Sequence, residues 1–186
     1  MVPAIFLDKD GTLIKDIPYN VDPRRIQFMP GTKEGLQLLH VAGYKFVIIT
    51  NQPGVAAGYF SEKALYVVEI FMRQQMSEFG VPLAGFFYCP HLPGGMPDYD
   101  MECSCRKPKP GLILKAIREL GIDVMRSWFI GDILNDIEAG RRAGCKTILI
   151  DNGNETEWIL SSYRLPHYTV KNFLEAVRII TRRVIV

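Results

Sequence analysis

The stretch that most constrains this chain is Ala4-Ile5-Phe6-Leu7-Asp8-Lys9-Asp10-Gly11-Thr12-Leu13, an apolar run ending on two carboxylates at i and i+2, then Gly-Thr. A short apolar run of this kind reads as a buried parallel strand. At its end, the two-residue period of a strand sends Asp8 and Asp10 to one side and Lys9 away from them. Two carboxylates so placed call for a cation between them, and all-oxygen ligation favours Mg²⁺. Gly11 permits the turn that follows. A plain strand end with a polar turn is the simplest alternative. A calcium loop with Gly11 at its sixth position would put Phe6 first and Ile17 last, where acidic ligands are required, so it fails. A nucleophilic carboxylate is the third reading.

The rest of the chain alternates strands and helices. Thr32 is expected to cap a helix over Lys33 to Val41, stopped by Gly43. Tyr44 to Ile49 is a second buried strand, ending on Thr50-Asn51-Gln52-Pro53-Gly54. Ser61 caps a helix to about Glu78, with Leu65, Val68, Phe71, Met72 and Met76 on a helical stripe that reads as core. Gly85 to Tyr88 is a short strand, and Cys89 to Pro110 a long loop. A helix over Gly111 to Leu120 follows, then a strand over Ser127 to Ile130 running into Gly131-Asp132. Next come a helix over Leu134 to Ala143 and a strand over Lys146 to Ile150. Tyr168 to Val170 adds a strand, and Asn172 caps a final helix from Phe173 to about Arg183. This order predicts a doubly wound, mainly parallel α/β sheet, whose ligands sit at the carboxyl ends of the strands. The polar residues are concentrated at those ends. With 186 residues and no long linker, one domain over 1–186 is expected, with no separate cap and an open site.

Composition narrows the partners. A formal net charge of +2 gives no footprint for nucleic acid. The absence of an 18-residue apolar run or a basic leader gives no expectation of a membrane span or export. A cytoplasmic monomer is the expectation. Three of the 4 cysteines cluster, which in such a chain suggests metal before disulfide. Cys89, His91, Cys103 and Cys105 make up a Cys₃His set suited to structural Zn²⁺, although the C-x-H and C-x-C spacings are tight. The alternative is four unrelated loop residues. A metal clip would order a Pro- and Gly-containing loop over about 89–110 that has little core of its own.

Asp8-x-Asp10, then Thr50, then Lys107, then Gly131-Asp132 with Asp136, each placed after an apolar strand, resembles the haloacid dehalogenase (HAD) superfamily of phosphotransferases over about Phe6 to Ile150. The zinc-loop pattern and Cys105-Arg106-Lys107-Pro108-x-Pro110-Gly111 narrow the resemblance to the subgroup of heptose bisphosphate and histidinol-phosphate phosphatases. The resemblance implies an aspartyl-phosphate on Asp8, Asp10 as acid and base, and Mg²⁺ held by Asp8, a main-chain oxygen of Asp10, and Asp132. It implies phosphate or substrate binding by Thr50, Asn51, Gln52, Arg106 and Lys107, with Asp136 orienting Lys107 or a metal-bound water. The implied partner is a small phosphorylated sugar, a heptose 1,7-bisphosphate cleaved at C7. Histidinol phosphate is the alternative substrate, and an inactive zinc-stabilised binding module the alternative function. Two departures bear on substrate: Ala57 stands where the subgroup usually has Arg, and Ile133 where it usually has a basic residue.

Overall fold

The computed structural model describes residues 1–182. Six strands, β1 (Ala4–Leu7), β2 (Lys45–Asn51), β3 (Leu83–Cys89), β4 (Trp128–Gly131), β5 (Lys146–Ile150) and β6 (Tyr168–Val170), form one sheet in the order β3-β2-β1-β4-β5-β6. Every pairing between neighbours is parallel. Five helices connect or follow them: α1 (Thr32–Val41), α2 (Glu62–Glu78), α3 (Gly111–Leu120), α4 (Leu134–Ala143) and α5 (Phe173–Thr181). The expected doubly wound architecture is therefore present, and no separate cap occurs among the described residues. No helix among the described residues is long and apolar enough to cross a membrane.

The two faces of the sheet follow from side-chain alternation. In β1, Ile5 and Leu7 join the core under α1, α2 and α5, while Ala4 and Phe6 join the core under α3 and α4. All four residues of β1 are fully buried, as a strand covered on both faces requires. The chain builds β1, β2 and β3 to one side and then returns to place β4 on the other flank of β1. That reversal opens a crevice at the carboxyl ends of β1 and β4, where such sheets bind ligands.

Three local expectations are corrected. Thr32 does not cap α1; Gly31, in the left-handed region at φ 77°, is the N-cap, and buried Thr32 turns its hydroxyl to the Leu13 carbonyl at 3.4 Å. Phe71 is half-buried and packs against the same core as Leu65, Val68, Met72 and Met76, so the α2 stripe is as expected. β3 extends to Cys89, which puts that cysteine on a rigid strand end rather than in the loop. Lys9 does not point away: β1 has ended, and its buried side chain returns to Asp10. Ser61 and Asn172 cap α2 and α5 as expected, each accepting from a backbone N–H of the first turn. The expected end of the last helix, near Arg183, lies outside the described residues.

Candidate active site

Asp8 is the first residue beyond β1, and its backbone N–H still donates to Ile130 of β4 at 3.0 Å. This contact fixes the carboxylate between the ends of the two central strands. Gly11 follows in the left-handed region at φ 82°. A Cβ there would lie 2.0 Å from Asp132 Oδ2, so only glycine lets the Asp132 carboxylate pack on this turn. Asp132 is the residue after β4, and it accepts from Thr12 Oγ1 at 3.2 Å and from Asn154 Nδ2 at 2.7 Å.

Lys107 comes from the long loop after β3, yet its ammonium is buried beside Asp8 Oδ1 at 2.5 Å, Asp136 Oδ1 at 2.6 Å and the Ile49 carbonyl at 3.0 Å. Asn51 clamps the Lys107 backbone from both directions. Its Nδ2 donates to the Lys107 carbonyl, and its Oδ1 accepts from the Lys107 N–H, each at 3.0 Å. Asp136 is wholly buried; its Oδ2 accepts from the N–H groups of Asp132 and Ile133 at 3.3 Å. The α4 N-terminus thus gains a carboxylate that also anchors the lysine. Asp10 lies at the rim, accepting from Lys9 Nζ at 2.6 Å and Gln52 Nε2 at 3.1 Å.

These groups surround a cavity of about 210 Å³ lined by Asp8, Asp10, Asp16, Thr50, Asn51, Lys107, Asp132, Ile133 and Asn154. Burial pushes the Asp8 carboxyl well above its ordinary value; Lys107 opposes this, while Asp136, Asp132 and Asp10 add to it. Burial and then Asp136 push Asp132 up to about 7. Burial alone would lower Lys107, but Asp136 and Asp8 outweigh it and hold the ammonium charged. Three buried carboxylates, Asp8, Asp132 and Asp136, thus face the single Lys107 ammonium. Asp8, Asp132 and Asp136 have ligand oxygens within 4.8 Å of one another, so the donor set fits a hard divalent cation. Asp136 is already engaged by Lys107 and two N–H groups, which leaves Asp8 and Asp132 as the carboxylates for it.

Comparisons with known proteins agree with the fold. A family model described as HAD-hydrolase-like matches residues 104–176. The D-glycero-β-D-manno-heptose-1,7-bisphosphate 7-phosphatase of Pasteurella multocida is 45% identical over 154 residues, covering 82% of this chain and 84% of that one. The α-anomer enzyme of Photorhabdus laumondii is 37% identical over 157 residues, covering 83% and 86%. A crystal structure of a D,D-heptose 1,7-bisphosphate phosphatase of B. bronchiseptica, complexed with magnesium and phosphate, superposes with a TM-score of 0.82 at 27% identity, covering 97% of this chain and 99% of that one. The chain belongs to the HAD-like phosphatases.

The loop that brings in Lys107 spans 21 residues, 90–110, from β3 to α3. Here it passes through the cysteine cluster. Cys105 Sγ lies 3.0 Å from Cys89 Sγ and 3.1 Å from Cys103 Sγ, and Cys89 and Cys103 are 3.5 Å apart. His91 Nδ1 is 3.2 Å from Cys105 Sγ and 3.7 Å from Cys89 Sγ. A disulfide needs about 2.05 Å, whereas a tetrahedron with metal–sulfur bonds of about 2.3 Å has edges near 3.8 Å. The sulfurs are too far apart for a disulfide, and the Cys₃His donor set is compatible with one tetrahedral ion of the zinc type. Burial pushes Cys103 up, but hydrogen bonds from Cys105, the Arg106 backbone and Cys89 outweigh it and bring the thiol down to about 6, while burial pushes Cys89 and Cys105 up.

Arg106 is half-buried, and its Nη1 donates to the His91 carbonyl at 3.3 Å. It lines a neighbouring cavity of about 330 Å³ with Lys107, Lys109 and Asn135, rather than the central one. Several residues absent from the sequence reading also belong to the site. Lys9 and Asp16 flank Asp10, Asn152 Nδ2 donates to the Gly11 carbonyl at 2.8 Å, and Glu155 accepts from the Leu134 N–H at 2.6 Å at the start of α4. Asn152 and Asn154 follow β5 closely, so the strand-end rule that picked out Asp8 and Thr50 could have found them.

Proposed function

We propose that this enzyme removes the C7 phosphate of D-glycero-D-manno-heptose 1,7-bisphosphate through an aspartyl-phosphate on Asp8. The observation that carries the reading is the buried Asp8–Lys107 pair at 2.5 Å with Asp10 beside it at the rim. A carboxylate attacking a dianionic phosphate needs its charge offset, and Lys107 supplies part of that offset at the point of attack. In the first step an Asp8 oxygen bonds to phosphorus, the ester P–O bond breaks, and Asp10 gives its proton to the leaving oxygen. In the second step water attacks phosphorus and its proton passes to Asp10. The bond to Asp8 breaks and inorganic phosphate is released. The Thr50 hydroxyl and the Lys107 ammonium hold the phosphoryl oxygens. Mg²⁺, held by Asp8, Asp132 and a main-chain oxygen of Asp10, would supply further neutralisation of the phosphate charge.

Zn²⁺ on Cys89, His91, Cys103 and Cys105 would have a structural task, fixing the approach of Lys107. Arg106, with Lys109 beside it, offers the donor fork for the substrate's second phosphate. Ile133 lines the central cavity and adds no positive charge there, which leaves that work to the long loop. One chain supplies every group named, which supports a monomer, and its cysteines, all free, suit the reducing cytoplasm.

The test is phosphate release from both anomers of the heptose bisphosphate, its 7-phosphate, other sugar phosphates and histidinol phosphate. A kcat/KM at least about 100-fold higher on a heptose bisphosphate is expected, the equivalent of one strong charge-assisted contact. Preference for histidinol phosphate would overturn the substrate assignment. Asp8→Asn should reduce turnover to background, a loss on the order of 10⁶-fold as for other deleted nucleophiles. Near-wild-type turnover by that variant would remove Asp8 from its role.

A further inference from the structure

Gln52 directly follows β2, and its backbone N–H extends the pairing to Cys89 at 2.8 Å. Its side chain is buried, so each of its polar hydrogens needs an acceptor. The amide nitrogen carries two hydrogens. One meets Thr50 Oγ1 at 2.9 Å and the other Asp10 Oδ2 at 3.1 Å. Lys9 Nζ, also buried, occupies Asp10 Oδ1 at 2.6 Å. Both oxygens of Asp10 therefore accept from fixed donors, and the amide has no hydrogen left for a phosphate.

We infer that Gln52 is a positioning residue that ties the phosphoryl-holding hydroxyl of Thr50 to the acid–base carboxylate of Asp10, rather than a phosphate ligand. The inference rests on the two-step reading proposed above. With its lone pair facing Gln52, the Thr50 hydroxyl has its own hydrogen to donate. Among the described residues its acceptor is the Asn51 carbonyl at 3.5 Å, at the limit of a hydrogen bond. A phosphoryl oxygen in the cavity is the better partner, so Gln52 sets Thr50 as a donor.

The effect on Asp10 differs between the two half-reactions. To act as an acid, Asp10 must carry a proton on an oxygen that now faces a donor, so one contact has to loosen. To act as a base, it needs an oxygen held open to a water hydrogen while its orientation stays fixed. In that step the water oxygen bonds to phosphorus, the electron pair of the breaking bond returns to the Asp8 oxygen, and the water proton goes to Asp10. Gln52 favours this second step over the first.

The variants are Gln52→Leu, which keeps bulk and loses both hydrogens, and Gln52→Glu, which places an acceptor against Asp10. Rapid quench with labelled heptose bisphosphate and Mg²⁺ reads the phosphorylated fraction of enzyme and the release of phosphate. Gln52→Leu should lower kcat about 10- to 100-fold, keep KM within about threefold, and raise the phosphoenzyme from a minor to the dominant species. Gln52→Glu should lose more, and it carries the test if the leucine variant fails to fold. A loss confined to KM would make Gln52 a phosphate ligand, and an unchanged phosphoenzyme fraction would make its role structural; either overturns the inference. If wild-type protein forms no phosphoenzyme and releases no phosphate, the two-step reading itself fails. A crystal structure of Gln52→Leu then decides the remainder: a displaced Asp10 carboxylate upholds the positioning role, and an unmoved one ends it.

Discussion

The Lys107 ammonium lies 2.6 Å from Asp136 Oδ1, with both side chains buried and 29 residues apart in the chain. Asp8 is the other carboxylate on the same ammonium, at 2.5 Å. Asp136 therefore balances a charge that would otherwise belong to the nucleophile alone. Asp136→Asn keeps the side-chain size but has one acceptor oxygen where Asp136 uses two, so either Lys107 or the N–H groups of Asp132 and Ile133 lose their partner, at a cost of about 1–3 kcal/mol. Lys107 would then pair more tightly with Asp8, quenching its attack, and kcat should fall about 10- to 100-fold. Thermal melting and steady-state kinetics on the same preparation check both, and unchanged kcat would separate Asp136 from the reaction.

Asp132 gives a pH-dependent prediction. Its carboxyl rises from 3.8 to about 7, through burial first and Asp136 second. Between those values the folded state holds a proton that the unfolded chain has released. In metal-free protein this group therefore lowers stability as pH rises through that window. A divalent cation competes with the same proton, so Mg²⁺ should stabilise more at pH 8 than at pH 5.5. At about 100 times its dissociation constant, Mg²⁺ is worth about 2.7 kcal/mol. For a chain of this length that raises Tm by about 5–10 °C at the higher pH. Calorimetry with and without Mg²⁺ reads the difference; equal increments at both pH values would contradict it.

The cysteine cluster predicts one zinc per chain. Elemental analysis of protein purified without chelator should find it, and finding none would remove the assignment. Cys103→Ser should loosen the loop while sparing the Asn51 clamp on Lys107, lowering activity about 10- to 100-fold through position. Asn51→Ala should add to that loss by freeing the Lys107 backbone. Full activity in both variants would mean that Lys107 finds its place without the loop.

Arg106 predicts selectivity. Charge-assisted hydrogen bonds are worth about 1.5–3 kcal/mol, or about 10- to 100-fold. Arg106→Ala should lower kcat/KM on the bisphosphate by that factor and leave the matching monophosphate nearly unaffected. An equal loss on both substrates would assign Arg106 to the loop, through its contact with the His91 carbonyl.

The strand pattern was readable because hydrophobic periodicity is local. The apolar runs ending at Leu7, Ile49, Ile130 and Ile150, with turns and glycines between, dictate parallel strands joined by helices, and the capping residues Ser61 and Asn172 are equally local. That polar residues gather at the carboxyl ends of those strands follows from the same pattern. Neighbouring residues could not tell where side chains beyond the strands would turn. Lys9 looked like the outward member of an alternating pair until β1 stopped at Leu7, after which no pleat fixed its direction. Thr32 carried the chemistry of a cap, but the left-handed Gly31 before it took the position. Asp136 could as well have been a solvated helix residue; its burial against Lys107 arises because β3, its loop and α4 converge across the sheet. The primary structure names most of the reactive groups and orders them along strands. Which oxygen faces which donor depends on long-range packing, since each such contact joins segments that only the closed sheet brings within 3 Å.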